Sequence, residues 1–277
     1  MSTKTINNRI NSSSKVPGKT VTPSKEKKER VKFYSIYKKS PFSKASTTVI
    51  LVLGIVVFGG IAAFTTYVVS SHLSELKASA DEYAYLRGLA GDMEHTYDSD
   101  GQIQLSALDN EMRAINPDYV CWIRIDGTNI DYPVVRGQNN EQYLHTTFQG
   151  EDNKAGSIFM DYRNVGEHLP HIIIYGHNLQ QGGMFTDLRR FLNSTFYNEF
   201  NTITLIVNGH EVEFEIFVAR RTDVNDPAYY LDLATQRNFG RFANKIDAPI
   251  RASQIITLST CVSEGNDDER VIIQGFR

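Results

Sequence analysis

The sequence predicts a mainly β domain with a few helices, of the α+β class, preceded by a single transmembrane helix. Three observations carry this prediction. No charged residue occurs between Lys44 and His72. From Val120 onward the chain changes to short runs rich in Val, Ile, Tyr and Phe, separated by Gly, Asn and Asp. The helical patterns between these runs are brief, which is typical of a barrel or sandwich that we expect to be antiparallel.

The uncharged stretch predicts the transmembrane helix, over residues 45–71. At about 1.5 Å per residue, roughly twenty-five helical residues reach close to 40 Å, more than the hydrocarbon core of about 30 Å. The stretch is apolar on every face, which disfavours a buried core helix. A cleaved signal peptide is the other alternative, since Ala78-Ser79-Ala80 fits a cleavage site. The long apolar region and the polar segment 72–77 favour a retained helix instead.

Residues 1–44 form a basic tail that cannot build a core. Twelve Lys and Arg stand against two acids there, so the rest of the chain carries an acidic excess. We predict that the tail is disordered and lies near anionic lipid, which explains its charge more simply than nucleic acid does. By the positive-inside rule, the tail is cytoplasmic and the remainder of the chain extracellular.

The extracellular part divides into a helical stalk, residues 72–115, and a catalytic β domain, residues 116–277. The stalk alternates acids with Leu, Tyr, Met and Ala in a helical period that ends at Asn116-Pro117-Asp118. Asn208-Gly209 suits a tight hairpin turn. Eight strands are predicted at Cys121–Ile125, Asn129–Val135, Ser157–Met160, His171–Tyr175, Thr202–Val207, Glu211–Val218, Gln254–Ser259 and Arg270–Phe276, and two helices at Met184–Leu192 and Thr235–Ile246.

Three side chains at the ends of apolar runs form a candidate active site. They are the thiol of Cys261, the imidazole of His177 and the guanidinium of Arg270. A cysteine attacks a carbonyl as its thiolate, which needs a neighbouring base or positive group such as His177. A permanently charged guanidinium suits the oxyanion of a tetrahedral intermediate.

Each of these residues also has a structural interpretation. Cys261 fits a small core position, and Gly176-His177-Asn178 fits a plain turn because Gly and Asn tolerate positive φ. Arg270 follows three acids and could form surface ion pairs. A Cys121–Cys261 disulfide is a further alternative, and it would make the domain a non-catalytic surface module.

The motifs around these residues resemble the signatures of sortases, the membrane-anchored cysteine transpeptidases of Gram-positive bacteria. The resemblance runs in family order from about Asn116 to Arg277. The general signatures are Thr257-Leu258-Ser259-Thr260-Cys261, Arg270 before an apolar strand, and Tyr175-Gly176-His177-Asn178. Stretches that match the class B subgroup lie at residues 127–135, 140–144, 156–164 and 183–185.

The resemblance implies a closed eight-stranded β-barrel with N-terminal helices and a helix at 235–246 ahead of the cysteine strand. It implies cleavage after Thr in the sorting signal of a secreted protein, a thioester on Cys261, and transfer to an amine of cell-wall precursor or a pilin lysine. In this scheme His177 moves protons and Arg270 stabilises the oxyanion. Substrate-binding positions match three further residues, Asn140, Leu144 and Ser259.

The sequence departs from the family pattern at two positions. Cys121 stands where relatives usually carry Gly, and Val262 follows the nucleophile where some class B members carry an acid. The second difference bears on which sorting signal is preferred. A wall peptidase or amidase that uses water as acceptor remains the rival activity.

The sequence predicts neither a metal nor an organic cofactor. His168, His171 and His177 lack the spacing of a zinc site. Residues 265–269 are acidic but lack the alternation of a calcium loop. No phosphate-binding glycine motif is present.

Overall fold

The computed structural model describes residues 44–94, 105–166, 169–233, 235–263 and 266–277. Apart from its last residue, the predicted basic tail lies outside this part of the chain. Its disorder and its cytoplasmic location therefore stay predictions. Phe58–Arg277 form one compact unit, and every contact described below lies within it.

The first helix, α1, runs over Lys44–Glu94. It contains the predicted transmembrane segment, whose large apolar side chains are exposed, and it is long and apolar enough to cross a membrane by length and composition. Its later part is a packed helix, because Tyr83, Leu86 and Ala90 are buried. The second helix, α2, covers Leu105–Ile115. The rest of the predicted stalk, residues 95–104, lies outside the described residues.

The domain is a closed barrel, and all eight predicted strands are confirmed. Around the barrel the order is β1-β2-β3-β4-β7-β8-β6-β5. The strands are β1 Tyr119–Arg124, β2 Asp131–Val135, β3 Ile158–Met160, β4 His171–Tyr175, β5 Thr202–Val207, β6 His210–Asp223, β7 Ile255–Ser263 and β8 Asn266–Phe276.

The expectation of an antiparallel barrel is wrong for two strand pairs. β2 and β3 are parallel, and so are β4 and β7. Parallel neighbours need a long crossover connection, and the chain supplies one in residues 136–157 and another in residues 176–254. The alternation of apolar and polar residues shows where a strand lies but carries no information about the direction of its neighbour.

Local sequence signals account for the hairpin and the helices. Asn208 and Gly209 both have positive φ, 52° and 76°, as the tight turn between β5 and β6 requires. The predicted helix before the cysteine strand is α4, Gln236–Lys245, with Thr235 as its capping residue. The predicted helix at 184–192 is a 3-10 helix, Thr186–Leu192. A short helix, α3 over Ser194–Glu199, was not predicted.

Helix α1 is fixed to the barrel next to β3. The hydroxyl of Tyr83 donates to the carbonyl of Gly156 at 2.8 Å. The carboxylate of Glu75 accepts from the backbone N–H of Lys154 at 3.0 Å. Gly156 could carry no side chain, because its φ is +58° and an added Cβ would lie 2.4 Å from the carbonyl oxygen of Leu144. These contacts position the segment that enters β3 along one side of the cleft described next.

Candidate active site

All six predicted site residues line one cleft, of about 920 Å³, at one end of the barrel. They reach it from three parts of the chain: the β2–β3 connection, the end of β4, and the paired strands β7 and β8. The residues are Asn140, Leu144, His177, Ser259, Cys261 and Arg270.

Cys261 and Arg270 face each other across two antiparallel strands. They are direct register partners of β7 and β8, and the Nη1 atom of Arg270 lies 3.1 Å from the Sγ atom of Cys261. A guanidinium at this distance stabilises the negative charge of a thiolate. Neither residue ends its strand as the sequence suggested, because β7 continues to Ser263 and β8 begins at Asn266.

His177 reaches the cleft because β4 runs parallel to β7. The last registered pair is Tyr175 with Ser259, and the backbone N–H of Gly176 continues the pairing by donating to the Ser259 carbonyl at 3.2 Å. His177 and Cys261 each stand two residues beyond that pair. Both residues therefore reach the same cleft.

Glycine is required before the histidine for space, not for a turn. Gly176 does not have positive φ, but an added Cβ would lie 2.4 Å from a methyl carbon of Ile158 and 2.8 Å from the ring of Phe185. The imidazole is then oriented by Leu144, whose carbonyl lies 2.7 Å from Nε2. A carbonyl only accepts, so Nε2 is the donor and carries hydrogen. The ring also stacks on His145, with centroids 6.0 Å apart.

Asn178 joins the histidine loop to the cysteine strand, a role that the sequence did not reveal. Its side-chain amide donates to two consecutive carbonyls, those of Cys261 at 3.1 Å and Val262 at 2.9 Å. Consecutive carbonyls of a regular strand point to opposite sides. Here the ladder is irregular between Cys261 and Ser263. The buried amide of Asn178 thus holds the irregular backbone that carries the thiol.

We expect Asn178→Ala to lower the rate of acyl transfer about tenfold with little change in KM, because a small misplacement of reacting groups is costly. Steady-state kinetics would measure this. Asn193→Ala is the matched control, since it removes a helix cap worth about 1 kcal/mol far from the cleft. If Asn178→Ala and Asn193→Ala lost the same amount of rate and the same amount of thermal stability, the positioning role of Asn178 would be contradicted.

A buried carboxylate fixes the wall that contains Asn140. Asp161 is fully buried and accepts from Asn140 at 3.1 Å, from the Tyr175 hydroxyl at 2.9 Å, and from Arg163 at 2.8 and 2.7 Å. These hydrogen bonds hold the pKa of Asp161 below its usual value although burial acts in the opposite direction. Next to Tyr175, Ser259 shares a hydrogen bond of 2.8 Å with the Tyr229 hydroxyl. Neither Asp161 nor Tyr229 was singled out from sequence.

The cleft is electropositive. Among the described residues that line it are Lys154, Arg163, Arg270 and two histidines, and none is an acid. The charge of Arg163 is balanced by Asp161 at 2.7 Å, but its side chain is 45% exposed. The cleft therefore suits a peptide whose backbone carbonyls, or a developing oxyanion, face the cations.

The two cysteines lie apart and form no disulfide. Cys121 is on β1 and Cys261 on β7, strands separated by four steps around the eight-stranded barrel. Cys121 is 2% exposed, and its burial raises the pKa of its thiol. The bridged, non-catalytic alternative is not what the structure shows.

Iodoacetamide should therefore modify one thiol of the folded, full-length protein quickly, and that thiol should be Cys261. Cys121 should react only after unfolding, because a buried neutral thiol is a poor nucleophile. Peptide mapping after timed alkylation measures both rates. Rapid modification of Cys121, or a mass 2 Da lower under non-reducing conditions, would contradict this assignment.

The residues considered as metal ligands from sequence are either outside the described residues or hydrogen-bonded to other protein groups. His168 lies outside the described residues, and so do residues 264–265 of the acidic loop. His171 is buried in the barrel between the Tyr230 carbonyl at 2.9 Å and the Thr257 hydroxyl at 2.8 Å. Burial lowers its pKa to about 4, so it is neutral at physiological pH. Within the described residues, no group of three potential ligands gathers to hold a metal.

Known proteins share the fold and the order of these motifs. The Sortase domain model matches residues 123–277. Sortase B of Listeria monocytogenes is 35% identical over 178 residues, which are 60% of this chain and 72% of that protein. The X-ray structure of Clostridium perfringens sortase B aligns with a TM-score of 0.56 and 30% identity, over 61% of this chain and 98% of that one. A Staphylococcus aureus sortase B–substrate complex aligns with a TM-score of 0.62 and 25% identity, over 73% and 97%.

Together, the closed barrel and a cleft that holds a thiol, an imidazole and a guanidinium define a class of protein, the β-barrel cysteine transpeptidases. The chain belongs to the sortase family. Its relatives place it in class B of that family.

Proposed function

We propose that this sortase cleaves the sorting signal of secreted proteins after Thr and transfers them to an amine of cell-wall precursor or a pilin lysine. The observation that carries the proposal is the 3.1 Å contact between the Cys261 sulfur and the Arg270 guanidinium in the cleft that also contains His177. A thiol beside a permanent cation and a proton-transfer group is equipped for acyl transfer.

The proposed reaction has two acyl-transfer steps. The Cys261 thiol passes its proton to His177, the thiolate attacks the Thr carbonyl carbon, and Arg270 stabilises the oxyanion that forms. The C–N bond breaks as His177 gives a proton to the leaving amine, which leaves a thioester. An incoming amine, deprotonated by His177, then attacks that carbonyl, and the C–S bond breaks. Because Nε2 is committed to the Leu144 carbonyl, Nδ1 is the nitrogen that exchanges the proton.

Asn140, Leu144 and Ser259 are proposed to bind the sorting signal. All three line the cleft, and they stand on walls fixed by Asp161 and Tyr229. The Staphylococcus aureus sortase B that aligns with this chain is a complex with a substrate, which supports a substrate site in this fold.

We propose a single-pass membrane protein with residues 1–44 in the cytoplasm, residues 45–71 spanning the membrane, and residues 72–115 leading to the extracellular domain 116–277. The support is the long apolar helix and the basic residues before it. Protease accessibility in intact cells tests this topology, and digestion of the N-terminal tail from outside would reverse it.

The direct test of function uses the full-length protein in detergent. A peptide library with a fixed Thr is offered with three acceptors: a glycine peptide, a stem-peptide amine and a lysine peptide. Mass spectrometry should find a thioester on Cys261 and peptides ligated to an amine. Hydrolysed peptide alone, at every amine concentration, would favour the water-using peptidase.

Arg270→Lys should slow transfer about a hundredfold, because loss of an oxyanion donor typically costs 10²–10³ in rate. Lysine keeps the charge but loses the planar guanidinium that reaches the sulfur from β8. Single-turnover measurement of thioester formation isolates the affected step. Arg221→Lys, an exposed change on neighbouring β6 outside the cleft, is the control. Full activity of Arg270→Lys would remove the guanidinium from the mechanism.

A further inference from the structure

A second cavity, of about 440 Å³, lies beside the active-site cleft. We call it the α4 groove, because one side is formed by α4 and the other by residues 224–230, which connect β6 to α4. None of the predicted site residues lines it. Its floor includes Phe242, which is buried and packs at a tilt against His171, with ring centroids 4.6 Å apart.

The α4 groove adjoins the cleft. Val224 and Tyr229 line both cavities. The Tyr229 hydroxyl is hydrogen-bonded to Ser259, one of the three proposed substrate-binding residues. A peptide that lies along Ser259 and crosses Tyr229 therefore enters the α4 groove.

The groove carries positive charge that no ion pair among the described residues balances. Arg241 and Lys245 line it one helical turn apart, and no other described residue forms an ion pair with either. Like charges at this spacing repel each other, and a bound anion relieves the repulsion. The one acid in the lining is already neutralised, because Asp226 is paired with Arg220 at 2.6 Å. Hydrogen bonds from Arg220 and Thr222 lower the pKa of Asp226 to about 2.

Apolar side chains exposed at the groove also suit a peptide. Val224 is 44% exposed and Tyr230 49% exposed, and both line the groove. An exposed aromatic ring can pack against the apolar side chains of an extended peptide. The neighbouring cations can bind its acidic side chains. The positive groove stands out because the chain beyond residue 44 has an excess of acids.

We propose that the α4 groove binds an acidic segment that flanks the cleaved motif of the donor peptide, through Arg241 and Lys245. This inference rests on the proposed function and adds a determinant of substrate choice to it. The donor is favoured over the acceptor because the groove adjoins the cleft at Tyr229, which is hydrogen-bonded to Ser259.

The test compares peptides cleaved by the full-length protein. Each carries the same motif with two Asp, two Asn or two Lys residues placed on either flank. We expect kcat/KM for thioester formation to be about tenfold higher with Asp than with Asn on one flank, as charge-assisted hydrogen bonds provide. The preference should disappear in the double variant Arg241→Gln/Lys245→Gln and weaken as salt is raised. Arg237→Gln, on the same helix but outside the groove lining, should keep it.

Three results would overturn the proposal. They are equal rates for Asp and Asn peptides in the parent, a preference that survives in the double variant, and a defect of the double variant confined to attack by the amine. The last would assign the groove to the acceptor. Anisotropy with the same labelled Asp and Asn peptides on the Cys261→Ala protein measures binding without turnover. If no peptide is cleaved, the proposed function fails, while this binding still decides whether the groove selects acids.

Discussion

Replacing Cys261 with alanine will abolish thioester formation and reduce transfer more than about 10⁴-fold, because it removes the nucleophile on which the proposed thioester forms. The structure supports this expectation by placing that sulfur, and not the second one, in the cleft. Intact-mass measurement with a cleavable peptide detects the adduct directly. Ligated product, followed by chromatography, gives the rate.

Cys121→Ala is the matched control for this variant. It removes a buried sulfur from β1 and should keep full transfer with a modest loss of stability, since an alanine leaves only a small cavity. A thioester that still forms on the Cys261→Ala protein would refute the assignment of the nucleophile. If Cys121→Ala folds normally but loses transfer, Cys121 is required for the reaction and the assignment of Cys261 as the nucleophile is contradicted.

His177→Gln should lower transfer about 10³-fold, within the range that proton transfer by a positioned side chain contributes. Glutamine can still donate to the Leu144 carbonyl, so the loop should keep its position while proton exchange is lost. The thioester should form slowly, and a more acidic leaving amine should restore part of the rate because it needs less protonation.

His145→Gln is the control, because this exposed ring lines the cleft and stacks on His177 but has no part in the proposed proton transfer. It should keep transfer within about threefold. If His145→Gln were inactive and His177→Gln active, the acid–base role would belong to the neighbouring imidazole.

The sequence predicted the strands well because their apolar runs are locally encoded. Val212, Phe214 and Ile216 alternate with exposed glutamates, and Asn208-Gly209 dictates a turn whatever the rest of the chain does. The site residues could be proposed because they stand in recognisable motifs at the ends of such runs. Closure of the barrel then brings these strand ends, and the residues on them, into one cleft.

The remaining features depend on contacts between distant residues, which a single sequence does not display. Asn178 donates to the carbonyl of Val262, 84 positions away, and no local sequence pattern around Asn178 predicts that partner. The parallel pairing of β4 with β7 is likewise decided by the whole barrel. The cations of α4 look like an ordinary solvated helix face until the cavity beside them is seen.

Because β4 and β7 pair directly, the catalytic residues and the proposed α4 groove lie in separate segments of the chain. The histidine loop and the cysteine strand contact each other directly, while residues 224–254, which connect β6 to β7, carry the proposed α4 groove. Exchanging that connection between relatives should therefore transfer the proposed preference for flanking charge and leave the reaction unchanged. In such a barrel, recombination of one connection can change the preferred substrate while the catalytic residues stay the same.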